Sequence, residues 1–255
     1  MSESVLLEVK DLVHSYDGKA QVLAGISFDV RRKDMVSIVG PSGAGKTTLL
    51  RILSGLMRPT SGTVKFLGEP VTGVPEGVGM VFQDYSRSLP GWLSVEKNVL
   101  FPLTHLPKAV ARERARESLE AVGLAGHASK YPWELSGGMQ QRVAIARALA
   151  LQPSLLFMDE PFASVDAQTR QGLEDLVLDL ADRFQITTLF VTHDIEESVY
   201  VADRVFVIGK TPSVLVEEVD VPIPKPRDQI TTKEREDFIQ LRGHVARLIR
   251  HEAHL

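Results

Sequence analysis

Cysteine is absent from the 255 residues, which excludes a disulfide framework, a thiol nucleophile and a Cys-ligated zinc site. Long apolar runs are missing as well. The longest stretches without Asp, Glu, Lys or Arg are 11 residues, Met35–Gly45 and Ala148–Met158, whereas a membrane-spanning helix needs roughly 18 or more. Neither charge dominates: 29 Lys+Arg against 33 Asp+Glu leave a formal charge of −4, without the basic excess of a nucleic-acid binder. Met1-Ser2-Glu3-Ser4 carries an acid and neither the basic nor the apolar region of a secretory signal, so a cytosolic chain is expected. What is present is ordinary. Apolar residues at 44% and charged residues at 24% exclude disordered and collagen-like chains and leave enough material for a sizeable core.

Short β-branched runs alternate with longer helical patterns, which predicts an α/β fold with a largely parallel sheet. The expected strands are Met35–Val39, Ser154–Met158, Thr187–Val191 and Arg204–Ile208, and Leu6–Asp11 with Val22–Val30 reads as an antiparallel β addition. Lys46–Leu56 reads as a helix stopped by Arg58-Pro59. Between Pro107 and Gly126 the pattern is purely helical, with Ala111, Ala115, Leu119 and Val122 on one face. Val221–Arg227 is proline-dense and reads as an extended linker. After it, Thr231 and Glu234 form a candidate capping box ahead of a stripe of Phe238, Leu241, Val245 and Leu248.

Gly40-Pro41-Ser42-Gly43-Ala44-Gly45-Lys46-Thr47 has four residues between its outer glycines and then Lys-Thr, the P-loop spacing. Glycines let successive backbone N–H groups curl round phosphate oxygens, and the helix that follows directs its positive dipole end at them. Lys46 would bridge the β- and γ-phosphates of ATP, Thr47 would ligate Mg²⁺, and Thr48 is placed for the α-phosphate. Further on, Leu155–Met158 leads into Asp159-Glu160. Asp159, at a strand's carboxyl end, suits Mg²⁺, while Glu160 points the other way and is the candidate general base for the attacking water.

Leu135-Ser136-Gly137-Gly138-Met139-Gln140-Gln141-Arg142 is a second anion site in chemical terms, with Ser136 as helix cap and glycines that bare their N–H groups. With this segment the chain resembles the ATP-binding subunits of ABC transporters. The resemblance implies a P-loop NTPase (RecA-like) core, an antiparallel β subdomain and an inserted α-helical subdomain. The ATPase domain would span 1–220 with the helical insertion at about 84–145, and 221–255 would be linker and C-terminal helix. It also implies a homodimer, or a pair with another ATPase subunit, in which Ser136, Gly137 and Gly138 complete the partner's ATP site. By the same resemblance Tyr16 stacks on adenine, Gln83 contacts Mg²⁺ or the water, His193 senses the γ-phosphate, and Asp166 works at the dimer interface. Ala163-Ser164-Val165-Asp166 departs from the usual Ser-Ala-Leu-Asp but keeps the aspartate.

Pro161–Arg170, Thr192–Arg204, Leu89–Asn98 and Pro222–Asp228 look like the nitrate/sulfonate/taurine group of bacterial importers. With its short tail, the chain is expected to lack the long regulatory domain of sugar-importer ATPases. The implied partners are a transmembrane permease and a periplasmic or extracellular solute-binding protein, with no nucleic acid, and the implied place is the cytoplasmic face of the cell membrane. The alternatives are an importer ATPase for an unrelated small solute, a soluble ABC-type ATPase acting on ribosomes or DNA, and a nucleotide sensor without hydrolysis. A single P-loop without sustained heptads speaks against the second, and the complete set Lys46, Asp159, Glu160 and His193 against the third.

Overall fold

The computed structural model describes residues 5–18, 20–84, 88–163 and 165–254. The chain forms two compact units, one of residues 1–76 with 187–255 and one of residues 77–186. In chain order the elements begin with β1 (Val5–Ser15), β2 (Gln21–Arg31), β3 (Met35–Val39), α1 (Lys46–Leu53), β4 (Ser61–Phe66) and β5 (Glu69–Pro70). Then come β6 (Val78–Val81), α2 (Val95–Leu100), α3 (Lys108–Ala121), α4 (Gly137–Leu149), β7 (Leu155–Asp159) and α5 (Ala167–Phe184). The chain closes with β8 (Thr187–Thr192), α6 (Ile195–Val201), β9 (Arg204–Ile208), β10 (Leu215–Asp220) and α7 (Glu236–His254).

The first unit holds two sheets. In one, β1 is flanked by antiparallel β2 and β4, and β5 pairs with β4. Leu7, Val9 and Leu12 of β1 and Leu23, Ile26 and Val30 of β2 are buried, as a sheet with one covered face requires. In the other, β3 lies between β8 and β9 and runs parallel to both, and β10 adds to β9 antiparallel. Every residue of β3, β8 and β9 is buried, the mark of strands covered on both faces. In the second unit β6 and β7 pair in parallel, with Val81 opposite Met158.

Strand positions follow the sequence closely. β3 and β9 keep the expected bounds, whereas β7 runs one residue later, Leu155–Asp159 rather than Ser154–Met158. α1 ends at Leu53 rather than Leu56. The Ser54 N–H closes on Leu50 O and Gly55 N–H turns back to Ile52 O, so the helix stops before Pro59 is reached. The helical stretch after Pro107 ends at Ala121 and is followed by a short 3₁₀ turn, Ala125–His127.

The C-terminal segment differs more. Thr231 does not cap α7, which begins at Glu236. Asp228 takes the local donors instead: its Oδ1 accepts from Ile230 N, Thr231 N and Thr231 Oγ1 at 3.0, 2.8 and 3.1 Å. A carboxylate is the stronger acceptor for backbone N–H groups, and the turn it closes delays the helix. Upstream, Val221 and Ile223 are buried. Arg227 is held by the carbonyls of Tyr200, Ala202 and Ile223 at 2.7, 2.8 and 3.1 Å. Burial pulls its guanidinium below the usual arginine range, partly offset by Asp203. Phe238 and Val245 of the expected stripe are fully buried; Leu241 and Leu248 are half-buried.

Candidate functional site

In the first unit, the apolar strand β3 delivers the chain to Gly40, and α1 opens at Lys46. Gly43 and Gly45 have φ of 79° and 78°, a left-handed conformation that side chains resist. A Cβ on Gly45 would also sit 2.7 Å from Val22 Cγ1 of β2, so the loop lies against that strand. Gly45 provides α1 with no side-chain cap and the first turn holds no acid. A helix start of this kind, with its positive dipole end and no acid in the first turn, suits an anionic ligand. Pro41 is half-buried, Ser42 is exposed and Ala44 is buried.

Lys46 is buried, and its Nζ donates to Gly40 O at 2.9 Å and Pro41 O at 3.1 Å. The ammonium thus lies across the loop that precedes it. Tyr16 is exposed, stands edge-on to His14, and joins Thr48 Oγ1 through its hydroxyl at 2.9 Å. Thr47 is half-buried. His193 follows β8 and is exposed. Because Val39 pairs with Thr192, Gly40 and His193 leave adjacent strands at the same carboxyl edge, where ligands of parallel sheets gather. Asp194 caps α6 by accepting from Glu196 N and Glu197 N.

The second unit carries the acidic strand end. Asp159 closes β7 and is 4% exposed, whereas Glu160 is half-exposed at φ 45°. A left-handed non-glycine residue is strained, and such strain concentrates at functional positions. Gln83 lies just past β6, and its Nε2 donates to Glu160 Oε2 at 3.2 Å, so two residues 77 positions apart meet beside paired strand ends. Gln141 of α4 is buried and fixes the next turn by donating to Pro161 O at 2.8 Å.

Ser136 caps α4: its Oγ accepts from Met139 N at 3.3 Å, and the first turn holds no acid. Ser136 and Gly137 are exposed and Gly138 is buried. A Cβ on Gly138 would overlap Thr169 Cγ2, inside the 3.0 Å that real Cβ atoms respect. Thr169 in turn binds Asp166, the cap of α5, which accepts from its N–H at 3.0 Å and its Oγ1 at 2.6 Å. These bonds hold the Asp166 carboxyl below the usual aspartate range. The starts of α4 and α5 therefore meet through Thr169.

The sequence model of the ABC transporter family matches residues 23–163, a stretch that runs from β2 through the P-loop, the Ser136 cap and the Asp159-Glu160 strand end. The chain belongs to the ABC transporter family. The nitrate import ATP-binding protein NrtD of Synechocystis sp. is 40% identical over 96% of this chain and 95% of its own. An aliphatic sulfonates import ATP-binding protein, SsuB 1 of Xanthomonas axonopodis pv. citri, is 46% identical over 83% and 84%. A dimeric ATP-binding cassette solved in a post-hydrolysis state with ADP and phosphate superposes with a TM-score of 0.75, at 29% identity over 85% of this chain and 99% of that one. The fold of this ABC subunit is thus the expected P-loop NTPase fold, and no described helix is long and apolar enough to cross a membrane.

Four residues of this ABC subunit hold these loops through contacts that the sequence does not single out, although Gln141 and Thr169 lie within the motif segments. Thr169 and Gln141 are described above. Thr211 Oγ1 donates to Gly43 O at 2.8 Å, and the buried Ser213 Oγ donates to Ala44 O at 2.6 Å. Thr211 and Ser213 lie 168 and 169 residues beyond their acceptors, and no spacing rule reaches that far.

Proposed function

We propose that this chain is the ATP-hydrolysing subunit of an importer for a small oxyanion such as nitrate, an alkylsulfonate or taurine. The family match across the intact P-loop and the strand end with Glu160 beside Gln83 carries this reading. The solute class rests on likeness to nitrate and sulfonate import subunits over most of the chain. ATP phosphates would take N–H groups of Gly43, Gly45 and the start of α1, with Lys46 leaving its two carbonyls for the β- and γ-phosphates. Thr48 would meet the α-phosphate, and Tyr16 would give its ring to adenine.

Thr47, Asp159 and Gln83 supply oxygen donors of the kind Mg²⁺ takes together with phosphate. Among the described residues no group of three or more His, Asp or Glu could cage a metal, which suits an ion brought in with the nucleotide. When bound, Mg²⁺ neutralises charge on the β- and γ-phosphates. Glu160 would accept the proton of the attacking water, Gln83 would hold Glu160 in register, and His193 would donate to the γ-phosphate. Ser136, Gly137 and Gly138 would complete the ATP site of a second, head-to-tail chain, with Asp166 at that interface. A permease docked near Gln83 would hold the subunit at the cytoplasmic face of the membrane, and an external binding protein would deliver solute.

The test is the complex assembled with its permease. Glu160→Gln should lower ATP turnover by about 10²–10⁴, the share of a general base, with ATP affinity retained and labelled nitrate or sulfonate uptake lost. Unchanged turnover would remove Glu160 from the mechanism.

A further inference from the structure

The segment between β9 and β10, residues 209–214, contacts the P-loop through two hydroxyls. Ser213 is fully buried. Its backbone is fixed to β2 at both ends, with N–H donating to Val22 O and C=O accepting from Ala24 N, each at 2.9 Å. Its Oγ therefore has a set position. It lies 2.6 Å from Ala44 O and 3.0 Å from Gly209 O, and the shorter contact takes the larger share of its single proton. Thr211 Oγ1 donates to Gly43 O at 2.8 Å.

A trans peptide is planar, with its N–H opposite its C=O. Holding the carbonyls of Gly43 and Ala44 against residues 211 and 213 turns the N–H groups of Ala44 and Gly45 the other way, into the loop. The Ala44 N–H accordingly crosses the loop to Pro41 O at 3.2 Å, and the Gly45 N–H faces the same interior. Both glycines lie in the left-handed region, where peptide planes have few intrinsic constraints, so an external grip matters most at these two bonds.

We propose that Ser213 and Thr211 are positioning residues for the phosphate cradle: their hydroxyls fix the peptide planes 43–44 and 44–45, so that the Ala44 N–H closes the loop on Pro41 O and the Gly45 N–H is aimed to receive nucleotide phosphate. This rests on the reading of residues 40–48 as the ATP site. Ser213 fixes the buried plane and has the larger effect; Thr211 is exposed and has the smaller.

Titration of the purified full chain with ADP, ATP and inorganic tripolyphosphate tests it. Ser213→Ala should weaken all three by about tenfold and Thr211→Val by about threefold, the loss of one hydrogen bond to a buried or exposed acceptor. Thr211→Ser, which keeps the hydroxyl, should bind as wild type does. Folding is checked by urea midpoint. If folded Ser213→Ala and Thr211→Val bind all three ligands with wild-type affinity, the positioning role is overturned. If Ser213→Ala does not fold, loss in Thr211→Val with recovery in Thr211→Ser supports the role, and equal affinity in both overturns it. Wild-type chain that binds none of the three ligands would overturn the ATP-site reading itself, a result distinct from the others.

Discussion

Gly138 and Thr169 provide a sharp test of how the two helix starts are joined. In Gly138→Ala the new methyl overlaps Thr169 Cγ2. The threonine cannot swing aside cheaply: it is β-branched, and its Oγ1 is held by Asp166 at 2.6 Å. Overpacking of this kind costs about 1–3 kcal/mol, while alanine in a helix returns up to about 1 kcal/mol relative to glycine. The net expectation is a loss of about 1–2 kcal/mol. Thr169→Ser deletes Cγ2 but keeps the hydroxyl, and the nearest remaining atoms would be Thr169 Cβ at 3.7 Å and Oγ1 at 3.9 Å, an ordinary contact. In that background Gly138→Ala should be neutral or stabilising, for a coupling of about 1–3 kcal/mol across the cycle. Both tryptophans, Trp92 and Trp133, belong to the same unit as this contact, so urea unfolding followed by tryptophan fluorescence reports on the right part of the chain. Equal destabilisation in the two backgrounds, within about 0.5 kcal/mol, would refute the steric argument.

Arg227→Met leaves three carbonyls without their donor, while Asp203 keeps Lys225 at 2.8 Å; the expected loss is about 3 kcal/mol, seen in thermal unfolding as a fall of about 6–12 °C. Asp166 titrates below the usual aspartate range because Thr169 binds its charged form. Its contribution is therefore complete above about pH 4 and disappears as pH falls through the lowered value. The stability difference between wild type and Asp166→Ala should accordingly shrink in acid denaturation below pH 4, and a pH-independent difference would count against that origin. Lys46→Met should abolish measurable ATP binding in an equilibrium titration and lower stability in urea by about 1–3 kcal/mol, because the buried Gly40 carbonyl loses its donor.

Legibility in the sequence varied with the range of the signal. β3 and β9 have their expected ends because each is a short run rich in β-branched and apolar residues between an aspartate and a glycine, Asp34 and Gly40 or Asp203 and Gly209. β7 extends to Asp159, one residue past the apolar run, because its pairing with β6 continues to Met158 opposite Val81 and carries the next residue with it. The end of α1 was misplaced because Pro59 is the stronger breaker in composition, yet the turn at Ser54–Gly55 comes first along the chain. Thr231 fits a capping box by spacing, but Asp228, three residues earlier, takes the Thr231 N–H, and Glu234 N–H goes to Ile230 O.

The sequence by itself determined what is contiguous. Gly40–Thr48, Ser136–Arg142 and the strand ending in Asp159-Glu160 are each set by local backbone geometry, so glycine spacing, a cap residue and an apolar run suffice to find them. Tertiary structure decided which groups hold those segments in place: Gln83 on Glu160, Gln141 on Pro161, Thr169 between Gly138 and Asp166, and the hydroxyls of Thr211 and Ser213 behind the P-loop. Apart from the local cap that joins Thr169 to Asp166, each is a hydrogen bond or methyl contact between positions far apart in the chain that only the fold brings within 4 Å. A lone serine, threonine or glutamine leaves no periodicity from which such a contact could be read.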